Sequence, residues 1–227
     1  MRDPSLVTGG YYHVFNRGVD KRPIFVDSRD YGRFIESLHL FNDQEYQSVG
    51  GDVRSKMRKL ARAETGFDRR IPIVRIIAYC LLPNHFHLFL EQLVEGGIST
   101  FLHRFGGYAR YFNLKHERSG GLLEKSFEAV HVKEEFHFTH LPRYIHLNAL
   151  DLTDLNWRDG EICDWEKAAH FLDAYPWSSH HTYLGLTQEL PIVDEVFLRQ
   201  LFPTRGDYEA FLRGWSGRNT PWLSHGV

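Results

Sequence analysis

Two histidines one residue apart, inside the apolar segment Leu82-Pro83-Asn84-His85-Phe86-His87-Leu88-Phe89-Leu90-Glu91, are the residues of this chain best placed to do chemistry. Side chains alternate along a β-strand, so His85, His87, Phe89 and Glu91 share one face while Phe86, Leu88 and Leu90 turn toward a core. Two imidazoles on one strand face can chelate a divalent metal. The plain alternative is a pair of half-exposed histidines on an edge strand.

A second spacing lies downstream in Arg143-Tyr144-Ile145-His146-Leu147-Asn148. Tyr144 and Asn148 are four apart and stack on one face of a helix. Brought to the histidines, they would set a phenol and an amide oxygen beside an ion held by two imidazoles. Such an ion polarises a phosphodiester, and a phenol with an ordinary pKa of about 10 becomes a better nucleophile in its field. The product would be a tyrosyl phosphate. This reading requires the phenolic oxygen to converge with the imidazole pair, and a hydroxyl sealed in the interior would remove it.

The elements that must position these residues are legible in outline. Tyr11-Tyr12-His13-Val14-Phe15 reads as a first strand between Gly9-Gly10 and the turn-rich Asn16-Arg17-Gly18. Asp27 or Ser28 caps a helix whose apolar positions Tyr31, Phe34, Ile35, Leu38 and Phe41 follow helical spacing. Residues 43 to 70 turn polar and basic, with Arg54, Lys56, Arg58, Lys59, Arg62, Arg69 and Arg70, and read as an inserted excursion. A strand over 73–80, a turn at Leu82-Pro83-Asn84 and the histidine segment form a hairpin. A helix from Ser99 to about Lys115, a strand near 126–132 and a helix containing Tyr144 follow. Strand, helix, hairpin, helix, strand and helix in that order imply an α+β, ferredoxin-like antiparallel sheet with helices packed on one face. Past Asp151 the chain becomes acidic and aromatic, with Trp157, Trp165, Trp177 and Tyr183, and reads as a helical extension packing on the core. The expected units are therefore 1–150 and 151–227.

Composition narrows the class. The 227 residues, 42% of them apolar, suffice for a core, and the two cysteines, Cys80 and Cys163, imply no disulfide framework. No run approaches a membrane span and the first residues lack a signal-peptide core, so a soluble, cytoplasmic protein is expected. The formal charge of -2 hides an asymmetry. Residues 1–149 carry 21 Lys and Arg against 17 Asp and Glu, a balance of +4, and the remainder 6 against 12, a balance of -6. That suits a phosphate-binding body with an acidic tail.

Five blocks in order carry a family likeness: Tyr12-His13-Val14-Phe15-Asn16-Arg17-Gly18, Leu82-Pro83-Asn84-His85-Phe86-His87, Tyr108-Ala109-Arg110-Tyr111-Phe112-Asn113, Arg143-Tyr144-Ile145-His146-Leu147-Asn148 and Tyr175-Pro176-Trp177-Ser178-Ser179. Together, from about residue 10 to 185, they resemble the REP-associated tyrosine transposases, single-tyrosine relatives within the HUH endonuclease class. The resemblance implies a divalent metal, Mg²⁺ or Mn²⁺, held by His85 and His87 with Asn148 as third ligand. It implies Tyr144 as the nucleophile that cleaves single-stranded DNA near a hairpin and stays joined through a 5'-phosphotyrosine bond. The partner is then single-stranded or hairpin DNA, and the protein a monomer or homodimer. The sequence departs from the pattern at Ala149-Leu150, where the family shows Pro-Val, and at Pro142, which either kinks a long helix or begins a new one two residues before Tyr144.

Arg17, Lys21, Arg22, Arg104, Arg110 and Lys115 are candidates for phosphate contacts, and Tyr12, Tyr11 or Tyr111 for stacking on unpaired bases. Two other readings stay open. One is a cupin-like metal enzyme using His85, His87 and Glu91, which needs a β-barrel. The other is a module that binds hairpin DNA without cutting it. The polar character of the histidine face further implies that His87→Ala removes metal-dependent cutting with little loss of stability.

Overall fold

The structure, a computed structural model, describes residues 5–46, 70–124, 126–158, 160, 162–186 and 189–215. Its centre is a four-stranded antiparallel sheet made of β1 (Tyr11–Arg17), β2 (Val74–Leu82), β3 (His85–Gln92) and β4 (Glu128–His131), in the order β2-β3-β1-β4. Around it lie α1 (Ser28–Phe41), α2 (Gly97–Arg104), α3 (Gly106–Lys115) and α4 (Glu135–Leu147). The ferredoxin-like order expected from the sequence is present, and β2 and β3 meet at the Pro83-Asn84 turn. Register follows burial. Phe15 pairs with His87 and Arg17 with His85, so one face of β1 and one face of β3 make a single surface.

The Phe86, Leu88 and Leu90 face is covered by α1, α2 and α3. Phe34 of α1 packs on Phe86 at 5.1 Å, on Phe105 at 4.5 Å and on Tyr108 at 5.0 Å between ring centroids. Asp27 caps α1 by accepting from Arg29 N and Asp30 N, and buried Asp30 receives Lys115 Nζ at 2.7 Å, which ties α1 to α3. The helix expected over 99–115 is two helices that bend at Phe105, next to Gly106-Gly107, where the backbone gives up regular helical rungs. Helices do not stop at one face. The His85, His87 and Phe89 face, too apolar at Phe89 to stand in water, is covered by α4, with Phe138 at 5.3 Å from Phe89 and 4.7 Å from Tyr11.

Pro142 neither ends nor restarts a helix, because α4 runs through it and loses only the rung that would reach back to residue 138. A short 3₁₀ turn, Asn148–Leu152, follows. The C-terminal residues then cover the exposed edge of β2: Leu81 N donates to Trp177 O at 2.9 Å, Ser179 N to Tyr79 O at 2.9 Å and Asp194 N to Ile76 O at 3.2 Å. They include α5 (Trp165–Ala174), α6 (His180–Tyr183), α7 (Glu195–Leu201) and α8 (Arg205–Arg213). Of the basic excursion, Arg54, Lys56, Arg58, Lys59, Arg62 and Arg69 lie outside the described residues. Arg70 is described and donates to the backbone carbonyls of His39 and, at 2.9 Å, Pro191.

Candidate active site

Period-two alternation puts His85 and His87 on the β3 face that α4 covers, their ring centroids 5.1 Å apart and their planes 86° apart. Each imidazole is held through Nδ1. His85 Nδ1 is 2.7 Å from Asn84 Oδ1, an acceptor, so it must carry the proton and leave Nε2 as a bare lone pair. His87 Nδ1 is 3.0 Å from His13 Nε2, on β1. The Nε2 atoms of both rings are buried and make no hydrogen bond. Desolvation pushes the His85 pKa down to about 4 and holds that of His87 well below the usual range, so both are neutral at pH 7. Neutral rings anchored through one nitrogen with the other bare suit a metal.

The α4 helix brings its tyrosine to the same place. The Tyr144 ring meets His13 at 5.8 Å and His87 at 6.2 Å, both edge to face. Asn148, one turn on, is fully buried and donates Nδ2 to Tyr144 O at 2.8 Å, which leaves its Oδ1 as the remaining acceptor. That oxygen is already engaged, because Arg158 Nη2 donates to it at 2.8 Å. Arg158 Nη1 is also 3.4 Å from Tyr144 Oη, and Asp151 accepts from Arg158 Nε at 3.0 Å and from Nη2 at 2.5 Å. Burial opposes the charge of Arg158, but its bonds to Asp151 and Tyr144 hold its pKa above the usual value.

Tyr144 is 2% exposed, so the open phenol that the sequence reading required is not what the structure shows; Arg158, its side chain 35% exposed, stands 3.4 Å from the hydroxyl on the solvent side. Trp157 packs on Tyr144 at 5.7 Å, and Trp157 is itself fixed by Trp215, whose Nε1 donates to Trp157 O at 2.7 Å. Burial raises the Tyr144 pKa, while the hydrogen bond and charge of Arg158 lower it. Among the described residues no group of three or more His, Cys, Asp and Glu is arranged to hold a metal. The side chains here that could hold an ion offer two imidazole nitrogens, which are bare, and one amide oxygen, which accepts from Arg158.

Sequence reasoning missed His13 and Arg158. His13 had a signal, since alternation places it on the inner face of β1 with Tyr11 and Phe15, an imidazole in an otherwise aromatic row. Arg158 had none, because it reaches the site only by the return of the chain after α4.

The candidate DNA contacts divide. Tyr12 is fully buried, its hydroxyl accepting from Val7 N at 2.8 Å and donating to Ser5 O at 3.2 Å, so it is a core residue and offers no stacking surface. Arg104 is also corrected. Its guanidinium donates to the carbonyls of Phe41 and, at 2.7 Å, Asp43, and lies over Tyr46, closing the end of α1. Lys115 is bound by Asp27 at 2.6 Å and Asp30 at 2.7 Å, which neutralise it. Arg17 pairs with Glu124 at 2.6 Å beside His85. Lys21, Arg22 and Arg110 are exposed, Arg22 loosely paired with Asp20 at 3.2 Å. Tyr111 is half-buried, its hydroxyl donating to Asp30 at 3.2 Å.

The cupin reading fails on two counts. Among the described residues the sheet is open and four-stranded rather than a barrel, and Glu91, four strand residues beyond His87, is ion-paired with Arg75.

Fold and site define an α+β protein whose sheet carries a paired-histidine centre facing a helical tyrosine. No family model matches the chain, and no curated protein matches it. Among solved structures the chain is similar to a REP-associated tyrosine transposase bound to a REP hairpin, at 12% identity and a TM-score of 0.45, over 86% of this chain and 93% of that one.

Proposed function

We propose that this protein is a metal-dependent single-stranded DNA endonuclease and strand transferase of the HUH type, with Tyr144 as nucleophile and His85, His87 and Asn148 as the metal-holding set. The observation that carries this reading is that the Tyr144 ring lies against the His13–His87 pair while the Nε2 atoms of His85 and His87 are buried and without a hydrogen-bond partner. Buried polar nitrogens are seldom left so, and a divalent ion held by His85 and His87 would give them partners. An ion bound there supplies positive charge against the nonbridging oxygens of a phosphodiester.

The chain's own residues do the rest. Tyr144 Oη attacks phosphorus, an Oη–P bond forms, and the P–O3' bond breaks. The phenol gives up its proton and the departing 3' oxygen takes one up, so a 5'-phosphotyrosine and a free 3'-hydroxyl result. Reattack by a 3'-hydroxyl reverses the exchange and rejoins strands without an external energy source. Exposed Lys21, Arg22 and Arg110 supply sequence-independent phosphate contacts. On this reading residues 1–150 form the domain that carries Tyr144 and the metal-holding set, and 151–227 form an extension that contributes Trp157 and Arg158 to the site.

Incubation with hairpin-bearing single strands and Mn²⁺, followed by denaturing electrophoresis, should reveal a DNA-linked protein species that Tyr144→Phe abolishes while hairpin binding persists. A surviving adduct in that variant would move the nucleophile elsewhere. The 2% exposure of Tyr144 favours a second reading, a hairpin-binding protein that does not cut. Binding by the wild type with no adduct under any metal would establish it.

A further inference from the structure

Of the three donors assigned to the metal, two have bare nitrogens and the third is taken. Asn148 Oδ1 accepts from Arg158 Nη2 at 2.8 Å, and the same guanidinium reaches toward Tyr144 Oη at 3.4 Å. Arg158 is held in place on its far side by Asp151, at 2.5 Å and 3.0 Å, and it lies over the Trp157 ring at 4.5 Å from the centroid. Its side chain is 35% exposed, whereas Tyr144 and Asn148 are almost wholly buried, so it stands on the solvent side of both. A cation therefore already occupies the oxygen that a divalent ion would claim.

We propose that Arg158 is a further catalytic residue, one that occupies Asn148 Oδ1 in the metal-free protein and is displaced from it onto a phosphate oxygen of the DNA when a divalent ion takes the amide. The proposal rests on the nuclease reading of the site and deepens it. Two like charges on one amide oxygen repel, so ion and guanidinium compete for Asn148. Losing that bond does not release Arg158, because Asp151 still holds it beside the nucleophile. A guanidinium presents several donors in one plane and fits phosphate oxygens. Arrival of the anion beside Tyr144 therefore gives the displaced arginine a better acceptor than the one it left. Metal, DNA and Arg158 are coupled through one oxygen.

The test uses the full chain and Mn²⁺ alone, by calorimetry, alongside the rate of adduct formation on a hairpin-bearing strand. Arg158→Met keeps an unbranched side chain on Trp157 and removes the charge. It should bind Mn²⁺ about tenfold more tightly than the wild type and yet form the adduct about 100-fold more slowly at saturating Mn²⁺. Arg158→Lys, which retains charge, should bind Mn²⁺ like the wild type and recover part of the rate. Equal or weaker Mn²⁺ affinity in a folded Arg158→Met protein overturns the proposal, whatever its activity. The nuclease reading fails separately, if the wild type binds Mn²⁺ and forms no adduct. Absence of Mn²⁺ uptake in both wild type and Arg158→Met overturns both.

Discussion

His13 Nε2 lies 3.0 Å from His87 Nδ1, with ring planes 22° apart, and joins two strands through a contact that is diagonal in the ladder, because His13 pairs with Phe89 and His87 with Phe15. For His87 to offer its Nε2 lone pair to an ion, Nδ1 must carry the proton and donate it to His13. His13→Phe removes the acceptor, keeps a ring in the space and frees the tautomer. Mn²⁺ affinity should fall by about 10- to 100-fold in calorimetry. An unchanged affinity would show that His13 only fills volume.

His87 is 1% exposed, so the polar, tolerant face expected from the sequence is a buried one, sealed by α4. His87→Ala should therefore open a cavity and cost about 1–3 kcal/mol, which for a chain of this size lowers Tm by roughly 2–10 °C. His87→Gln keeps a polar side chain of similar reach and should lose metal binding with a smaller fall in Tm. Equal melting of wild type and His87→Ala in chelator would contradict the burial.

Arg104 and Arg110 stand on neighbouring helices and should behave oppositely. Arg110 is exposed, and Arg110→Ala should weaken hairpin binding and reduce the slope of log affinity against log salt by about 1. Arg104 donates to the carbonyls at the end of α1, and Arg104→Ala should lower Tm with the salt slope intact. A salt slope that changes in the Arg104 variant would return that residue to the DNA surface.

Acid should loosen the C-terminal extension. His180 is buried, its Nδ1 bonded to Tyr208 Oη at 2.7 Å and its Nε2 to Asp173 at 3.0 Å, while Tyr208 Oη also meets His146 Nδ1 at 2.8 Å. Desolvation pulls the His180 pKa below the ordinary value, against the pull of Asp173 and Glu209 and with that of His181. The unfolded chain protonates near pH 6.5, so below that it binds more protons than the native state. The stability is whole above that pH and is lost as pH falls toward the lowered native pKa. Urea midpoints should drop between pH 8 and pH 5, and His180→Asn should flatten the profile. A wild-type midpoint constant over that range would remove histidine burial as the cause.

What the chain states locally, it states well. The alternation of His85 and His87, the four-residue spacing of Tyr144 and Asn148 and the capping of α1 at Asp27 are short-range patterns, and backbone geometry alone converts each into a face or a turn. The order of elements carried the sheet topology, because a hairpin between helices leaves few antiparallel arrangements. The bend at Phe105, the burial of Tyr12 and the use of Arg104 as a carbonyl clamp were not legible, since each depends on which neighbour packs against it. His13 enters the site through strand register, and Arg158 through a turn that brings residue 158 back to residue 148. Sequence thus determined which side chains share a face. Tertiary structure decided which faces meet, because contacts between residues far apart in the chain follow from register and burial, to which no local periodicity is a guide.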